Sequence, residues 1–511
     1  MKNSGALQLS KPAAATRREV AAVALSLTLL IAAFAFWAFQ RGYILYWGDA
    51  EAHLKIGRSL IDSRQPGIDQ IGTVWLPALH LLILPFAQNN WLWSTGLAGT
   101  IPVALCFVVA GTCLFLAARQ IYQRAASAFV VLCCFALNPN VLYLSSIPMT
   151  ETVFLAGLAG AFLAILRFQA TEQRRYLALG LGASWFMSLT RYDGWFLIPF
   201  IGLLLARAAS KRRIQLFLVF CTAASFVPLL WMANSWWQTA NVLDFINGPY
   251  SAAAIQGGRP YPGLHNWPQA VQYYLAAGEL CTGWPLLALG TMGGIVAARV
   301  KRMRPAFFLL LTPLFYVWSM HSSANPIHIP NLWPFSYYNT RYGIAVTVFA
   351  AFACGALVDV LSDRYKRLAF VIPLLAVAPW FIHPSPNQWI CWKESEQNSI
   401  ARRAWTTAAA NFLEADYKRG DGVLASFSDI AGIFCQAVIP LREVTHEGTR
   451  PDWLIETTAT SAVHPMKWAI AQHGDSVSTA LEKSQPPAYR LVLEIKTKDA
   501  PNLEIYHRIH D

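Results

Sequence analysis

Long apolar runs separated by short, Arg-rich polar stretches dominate the first three quarters of the chain. The first run, 20–39, is about 20 residues long, enough to span a bilayer. No small-residue cleavage site follows it, so it reads as an uncleaved first helix. Further runs at 95–118, 125–146, 152–168, 176–189, 194–209, 213–233, 277–297, 305–320, 341–361 and 368–383 bring the expected count to about eleven transmembrane helices. The stretch 74–87 is interrupted by Pro77 and Pro85. At about 14 residues it suits an interfacial or re-entrant segment better than a crossing.

After residue 383 the pattern changes to that of a soluble chain, with Pro384–Pro386 as the linker. Residues 422–426, 453–456 and 489–495 read as strands, and 429–437 and 468–481 as helices. The expected fold class is a polytopic α-helical membrane protein with a small C-terminal α/β domain over 384–511. The three divisions are a cytoplasmic tail at 1–19, a membrane domain at 20–383 with a large first outer loop at 40–94, and that C-terminal domain.

Composition agrees with this class. Only 13% of the 511 residues are charged, against roughly 25% in an average soluble protein. The 20 Trp, 18 Tyr and 29 Phe suit membrane interfaces. A net charge of +12 would point to nucleic acid if it were spread over a surface, but it is not. With 74–87 not crossing and the N-terminus cytoplasmic, every basic cluster falls on the cytoplasmic side, twenty Lys/Arg against four acids. The charge is therefore a topology signal of the positive-inside kind. It places residues 384–511 outside the cytoplasm and excludes nucleic acid as partner. There is no CxxC pair; Cys106, Cys113, Cys133, Cys134, Cys221 and Cys354 sit in apolar runs, where Cys behaves as a small hydrophobe. Cys391 and Cys435 lie in the polar part, and sequence does not settle whether they pair.

The unusual polar residues then gather on the outer side. Residues 50–61 show helical apolar spacing, giving an amphipathic helix on the membrane, with Gly48-Asp49 directly before it. Asp49 either caps that helix, with Glu51 favouring its positive end, or serves as a carboxylate that takes a proton from an acceptor. His53 stands four residues from Asp49, but two ligands are too few for a metal site. Glu151 starts a helix, and either favours its dipole or lines a polar cavity, since carboxylates do not face lipid cheaply. Arg191 and Asp193 lie in SLTRYDGWF and Arg341 in YYNTRYG. These arginines either snorkel or pair with Asp193, or recognise phosphate through the guanidinium fork. Tyr338 and the other loop aromatics fit an aromatic belt or stacking on a sugar or prenyl chain.

The order of these features resembles the GT-C membrane glycosyltransferases: an uncleaved first helix, an outer loop opening on Gly48-Asp49-Ala50-Glu51, Asn138 to Glu151 at a helix start, Arg191–Trp195, and Arg341-Tyr342 entering a late helix. The similarity is to the bacterial protein O-mannosyltransferase-like and aminoarabinose transferase-like branch, over about residues 20–383. It implies an inverting, hexosyltransferase-like enzyme using a polyprenyl-phosphate sugar donor and a lipid, glycan or protein acceptor on the non-cytoplasmic face. The setting it implies is a bacterial inner membrane. No cofactor is required and a divalent cation is optional. By position Asp49 matches the catalytic acid and Glu51 the second acid, although Ala50 separates two residues that are often adjacent. Arg341 matches a late position near donor phosphate; Glu151, Arg191, Asp193, His53, Tyr338 and Tyr342 are further candidate substrate contacts. The alternatives are a lipid or glycolipid transporter or flippase, which would show inverted repeats and midplane charges, or a non-catalytic envelope-assembly protein.

Overall fold

The structure, a computed structural model, describes residues 15–427, 429–450, 452–458, 466–484 and 487–509; most of the basic tail at 1–19 lies outside them. The chain forms two compact units. One comprises Met1–Trp37, Val103–Ser146 and Thr150–Glu394, the other Ala38–Pro102, Ile147–Met149 and Ser395–Asp511.

The first unit is helical. Among the described residues of the whole chain, six helices are long and apolar enough to cross a membrane: Arg17–Gln40, Leu97–Ile121, Thr150–Thr171, Arg213–Thr239, Lys301–Ser322 and Thr340–Asp359. Two bent pairs raise the number to as many as eight if each is one span: Ala125–Ala136 with Pro139–Ser145, bent by 66°, and Trp267–Thr282 with Trp284–Arg299, bent by 110°. This is an integral membrane protein. The difference from about eleven has a physical source. Arg174–Ser188 and Tyr192–Ala208 are helices of 15 and 17 residues, and Val371–Ile382 has 12, all short of the roughly 20 residues a perpendicular crossing uses.

Thr150–Thr171 and Ile344–Asp359 are buried along nearly their whole length, so they form the centre of this unit. Neither shows a one-sided apolar stripe because neither has a solvent side. Trp284–Arg299 packs on Ile344–Asp359 through small residues. A Cβ at Gly293 would run into the main-chain carbonyl of Ala353, and one at Gly290 would stand 2.6 Å from the Ala350 Cα. Small residues at this spacing let helix backbones touch.

The second unit carries a five-stranded sheet of order β2-β1-β3-β5-β4. Its strands are β1 Val423–Ala425, β2 Val444–Thr445, β3 Trp468–Gln472, β4 Tyr489–Ile495 and β5 Leu503–Arg508. β1 pairs in parallel with β2 and β3, while β5 runs antiparallel to both β3 and β4. Two expectations are corrected here. Residues 453–456 lie in the helix Asp452–Thr458; Trp453 is buried but Leu454 and Ile455 are both exposed, a pattern that does not alternate as a strand would. Residues 468–481 divide into β3 and the helix Ser476–Lys483, with Asp475 accepting the Ser478 N–H at 2.7 Å as N-cap. A short apolar run in the middle of a sheet cannot be told from helix by periodicity alone.

The first-loop segment belongs to the same unit. Its helix Gly48–Ser59 buries Ala50, Leu54 and Ile56 but also Glu51, His53 and Ser59, so both its apolar and its polar faces are covered. The 74–87 stretch is a 10-residue helix, Ala78–Ala87, beginning after Pro77 and containing Pro85.

Candidate functional site

Five elements of the helical unit bring their ends to one polar cluster. Glu151 lies in the first turn of Thr150–Thr171. Arg191 is the residue that leads into Tyr192–Ala208, and Asp193 is in that helix's first turn. Arg341 sits in the turn Thr340–Gly343 ahead of Ile344–Asp359. Glu394 lies near the start of Ile390–Asp416, and Tyr316 comes from Leu311–Ser322. Carboxylates near helix N-termini are favoured by the helix dipole, which explains why Glu151 and Asp193 stand where they do.

Glu151 is the hub. Its Oε1 accepts from Arg191 Nη1 at 3.1 Å and from Arg341 Nε at 3.0 Å. Arg191 Nη1 also donates to Thr150 Oγ1 at 2.8 Å, and its Nε stands 3.3 Å from Asp193 Oδ1. Asp193 Oδ2 in turn accepts the Tyr316 hydroxyl at 2.9 Å. Glu394 receives the N–H groups of Asn339 and Thr340 at 2.7 and 2.8 Å and the Thr340 hydroxyl, and stands 3.8 Å from Arg341 Nη1. The Tyr342 ring lies 5.1 Å from the Arg191 guanidinium and 5.3 Å from that of Arg341, and stacks on Tyr316 at 4.7 Å. The turn bearing Arg341 seats closely because residue 343 is Gly; a Cβ there would meet the Ala277 carbonyl.

The snorkelling reading of the two arginines is thereby excluded. Arg341 is 9% exposed and ion-paired, and pairing of Arg191 with Asp193 is one part of a wider network. Glu151 Oε2 is buried and, among the described residues, has no hydrogen-bond partner. A buried acceptor left unmet is costly and marks the place where a donor group of a ligand would be gained. Tyr338 is exposed, and its ring stands 5.7 Å from that of His328, tilted by 41°.

The other candidates lie in the second unit. Asp49 is half-buried in the first turn of Gly48–Ser59. The capping explanation does not hold, since Trp47 occupies the cap position. Glu51 is buried and its Oε2 accepts from Arg402 Nη1 at 2.5 Å. Burial pushes its carboxyl up to about 7, against the pull of Arg402 and with the help of Asp429. His53 Nδ1 lies 2.9 Å from His80 Nε2, with the Trp75 ring at 4.5 Å. Burial holds His80 well below the usual histidine range, and His53 and Lys55 push the same way. Among the described residues no group of three or more His, Cys, Asp or Glu is placed to hold a metal ion.

Three charged residues escaped the sequence reading: Glu394, Arg402 and Lys55. Glu394 and Arg402 lie on one buried stripe of Ile390–Asp416, with Cys391, Ser399, Trp405, Ala409 and Leu413. The three-to-four spacing was legible, but two charges within it break an apolar search. Lys55 stands 4.5 Å from the centre of the Phe427 ring, and burial pushes its amine down to about 8 against the pull of Glu447.

A helical unit with helix starts gathered around paired guanidinium groups, in a chain that also carries a sheet-bearing unit, has a known counterpart. The chain shares the fold of ArnT. The crystal structure of ArnT from Cupriavidus metallidurans bound to undecaprenyl phosphate aligns with 94% of this chain and 97% of its own, at 13% identity and a TM-score of 0.58. The apo state of ArnT aligns with 94% and 98%, at 12% identity and a TM-score of 0.55. The resemblance to the GT-C membrane glycosyltransferases of the aminoarabinose transferase-like branch thus holds for the fold. No family model matches the chain, and no curated protein does.

Proposed function

We propose that the chain is a membrane glycosyltransferase that moves a sugar from a polyprenyl-phosphate donor to an acceptor hydroxyl on the non-cytoplasmic face, with inversion. The observation that carries this reading is the buried pair of arginines locked on Glu151, in a fold shared with a protein whose structure is bound to undecaprenyl phosphate. Guanidinium groups match phosphate oxygens, and a group held from behind by a carboxylate loses little freedom when it meets a ligand. In this reading Arg341, with Arg191, stabilises charge on the departing lipid phosphate, commonly a large catalytic contribution. The acceptor oxygen attacks the anomeric carbon, the bond to the phosphate oxygen breaks with its electron pair, and the acceptor's proton passes to Asp49. Glu51 orients the Asp49 turn through Arg402. The reaction requires no cofactor; a divalent cation is optional.

The 110° break between Trp267–Thr282 and Trp284–Arg299 favours a second reading, since transporters bind ions at broken helices. Its carbonyls are already taken, however. Asn138 and Asn140 side-chain amides both donate to the Cys281 carbonyl at 3.0 Å, and Asn138 also reaches Thr282 at 3.4 Å. The break is therefore closed by the protein itself.

Membranes containing the protein, incubated with labelled polyprenyl-phosphate sugars, test the proposal. Transfer of label to a new product is expected. Asp49→Asn retains helix-compatible geometry but cannot accept a proton, and should lower turnover by roughly 10²–10⁴-fold at unchanged expression and thermal stability. Normal transfer by folded Asp49→Asn would remove Asp49 from the role of base, and movement of intact lipid across the bilayer without sugar transfer would favour the flippase.

A further inference from the structure

Next to the arginine cluster lie two thiols to which no role has been given. Cys281 closes the helix Trp267–Thr282 and Cys391 opens Ile390–Asp416. Both are fully buried, and their Sγ atoms are 3.8 Å apart. Their main chains are held together by a separate device. Asn140 donates its Nδ2 to the Cys281 carbonyl at 3.0 Å and accepts the Cys391 N–H on its Oδ1, also at 3.0 Å. Asn138 adds a second bond to the Cys281 carbonyl. One amide thus clamps both cysteine backbones, whatever the sulfurs do. In the reduced pair the Cys281 thiol donates to the Thr340 carbonyl at 3.2 Å, directly before Arg341; a disulfide gives up that hydrogen bond and instead ties Cys281 to Cys391, on the same helix as the Glu394 that holds Thr340.

We propose that Cys281 and Cys391 are a disulfide-forming pair that closes in an oxidising compartment and fixes the corner carrying Arg341. Closing from 3.8 Å to a bond of about 2 Å is a short movement of the sulfurs, and the Asn140 clamp holds the two main chains together while it occurs. The bond would span 110 residues of chain, and constraint of the unfolded state grows with loop length. The pairing differs from the Cys391–Cys435 alternative, since the Cys435 thiol donates to the Trp93 carbonyl at 3.3 Å.

Burial raises the Cys391 thiol above its usual range, which slows exchange in the finished fold. Oxidation therefore belongs to folding, before the corner packs. One cysteine, as thiolate, attacks the disulfide of a dithiol oxidant and displaces one of its sulfurs as a thiol. The second cysteine then displaces the remaining oxidant sulfur. Two protons and two electrons leave the chain, and the oxidant ends as a dithiol. Such oxidants work in extracytoplasmic compartments, so this inference rests on the sidedness in the proposed function.

Cys134 and Cys354 provide an internal control. Their thiols are hydrogen-bonded as well, but Cys354 lies on the helix that ends at Asp359, which pairs with Arg302 of a basic cluster. Both are buried within the membrane helices, away from the outer ends where Cys281 and Cys391 meet, and stay free.

The test uses the native chain. Cells are treated with N-ethylmaleimide, and the protein is then denatured with further reagent, digested without reduction and analysed by mass spectrometry. The expected result is a linked Cys281–Cys391 peptide in most chains, with Cys134 and Cys354 alkylated. A reporter active only in the cytoplasm, fused after His383, reads the sidedness separately. If the reporter is silent, free thiols at 281 and 391, or a Cys391–Cys435 link, overturn the pairing. If the reporter is active, the sidedness fails, and synthesis of the chain in the presence of the oxidant diamide, which reaches the thiols before the corner packs, decides: a 281–391 link upholds the pair and two free thiols overturn it.

Discussion

Arg341 is held by Glu151 through Nε, which fixes the plane of its guanidinium. A lysine keeps the charge but loses both that hold and the fork. On the proposed function Arg341→Lys should weaken donor recognition by about 1.5–3 kcal/mol, the worth of a hydrogen bond to a charged group. Binding of a labelled polyprenyl phosphate to the purified variant measures this; unchanged affinity would assign Arg341 to folding alone. Glu51 yields a prediction in pH. In the unfolded chain its carboxyl ionises near 4.3, while burial pushes it to about 7 in the fold. Between these values the unfolded chain gives up a proton that the folded one keeps. The stability associated with the neutral form is therefore full below the unfolded value and is lost as pH rises through about 7, an effect on the order of 3 kcal/mol. Comparing melting temperatures of the native chain and Glu51→Gln from pH 4.5 to 8 should show a steeper decline in the native chain. A native curve that climbs relative to the variant over that interval would show that Arg402 dominates and keeps Glu51 ionised throughout.

Among elements, Trp284–Arg299 and Ile344–Asp359 lie so close that a methyl group has no room at Gly293. Gly293→Ala should cost about 1–3 kcal/mol by overpacking, whereas Gly182→Ala, facing open space, should not. Melting in detergent compares them, and equal melting of the two variants would mean that the helices separate without cost. Such contacts bear on how much was legible. Apolar length marked Leu97–Ile121 and Thr150–Thr171 to within a few residues, because lipid and core both demand uninterrupted apolar side chains. The strand 489–495 was read at its observed limits, since Tyr, Leu, Val and Ile gather there and aromatic and β-branched residues favour strands. The helix at 50–61 was found two residues late; its cap is Trp47, which carries no capping side chain. β3 was read as helix because a covered strand does not alternate. Glu151, Arg191, Asp193, Arg341 and Tyr342 stood out as polar residues at helix starts, and they do converge. Glu394 and Arg402 did not stand out, because each derives its meaning from a partner far along the chain, Arg341 for one and Glu51 for the other.

At the scale of the whole molecule, the charge pattern and the element lengths bear on one question, the direction of the chain through the bilayer. The acids that accompany the basic clusters are themselves engaged there: Asp359 with Arg302 and with the Gln123 and Arg124 N–H groups, Glu19 with Arg119. These clusters therefore share one end of the helical unit by packing as well as by sequence count. The layout that puts them all in the cytoplasm requires the 74–87 segment not to cross, since one additional crossing would reverse every later cluster. Its helix has 10 residues, about 15 Å at 1.5 Å per residue, half of a roughly 30 Å hydrocarbon core. Residues 40 to 94 should therefore lie on one side, outside. Gln88 is exposed at the end of that helix. A Gln88→Cys variant, in a chain whose nine native cysteines are replaced, should react in intact cells with a maleimide that cannot pass the membrane. A second variant with Cys in place of Lys211, in the basic stretch between Tyr192–Ala208 and Arg213–Ala224, should react only after the membrane is opened. Reaction of both from outside, or of Gln88→Cys only after opening, would overturn the layout and place Asp49 on the face opposite to the one that the proposed reaction uses.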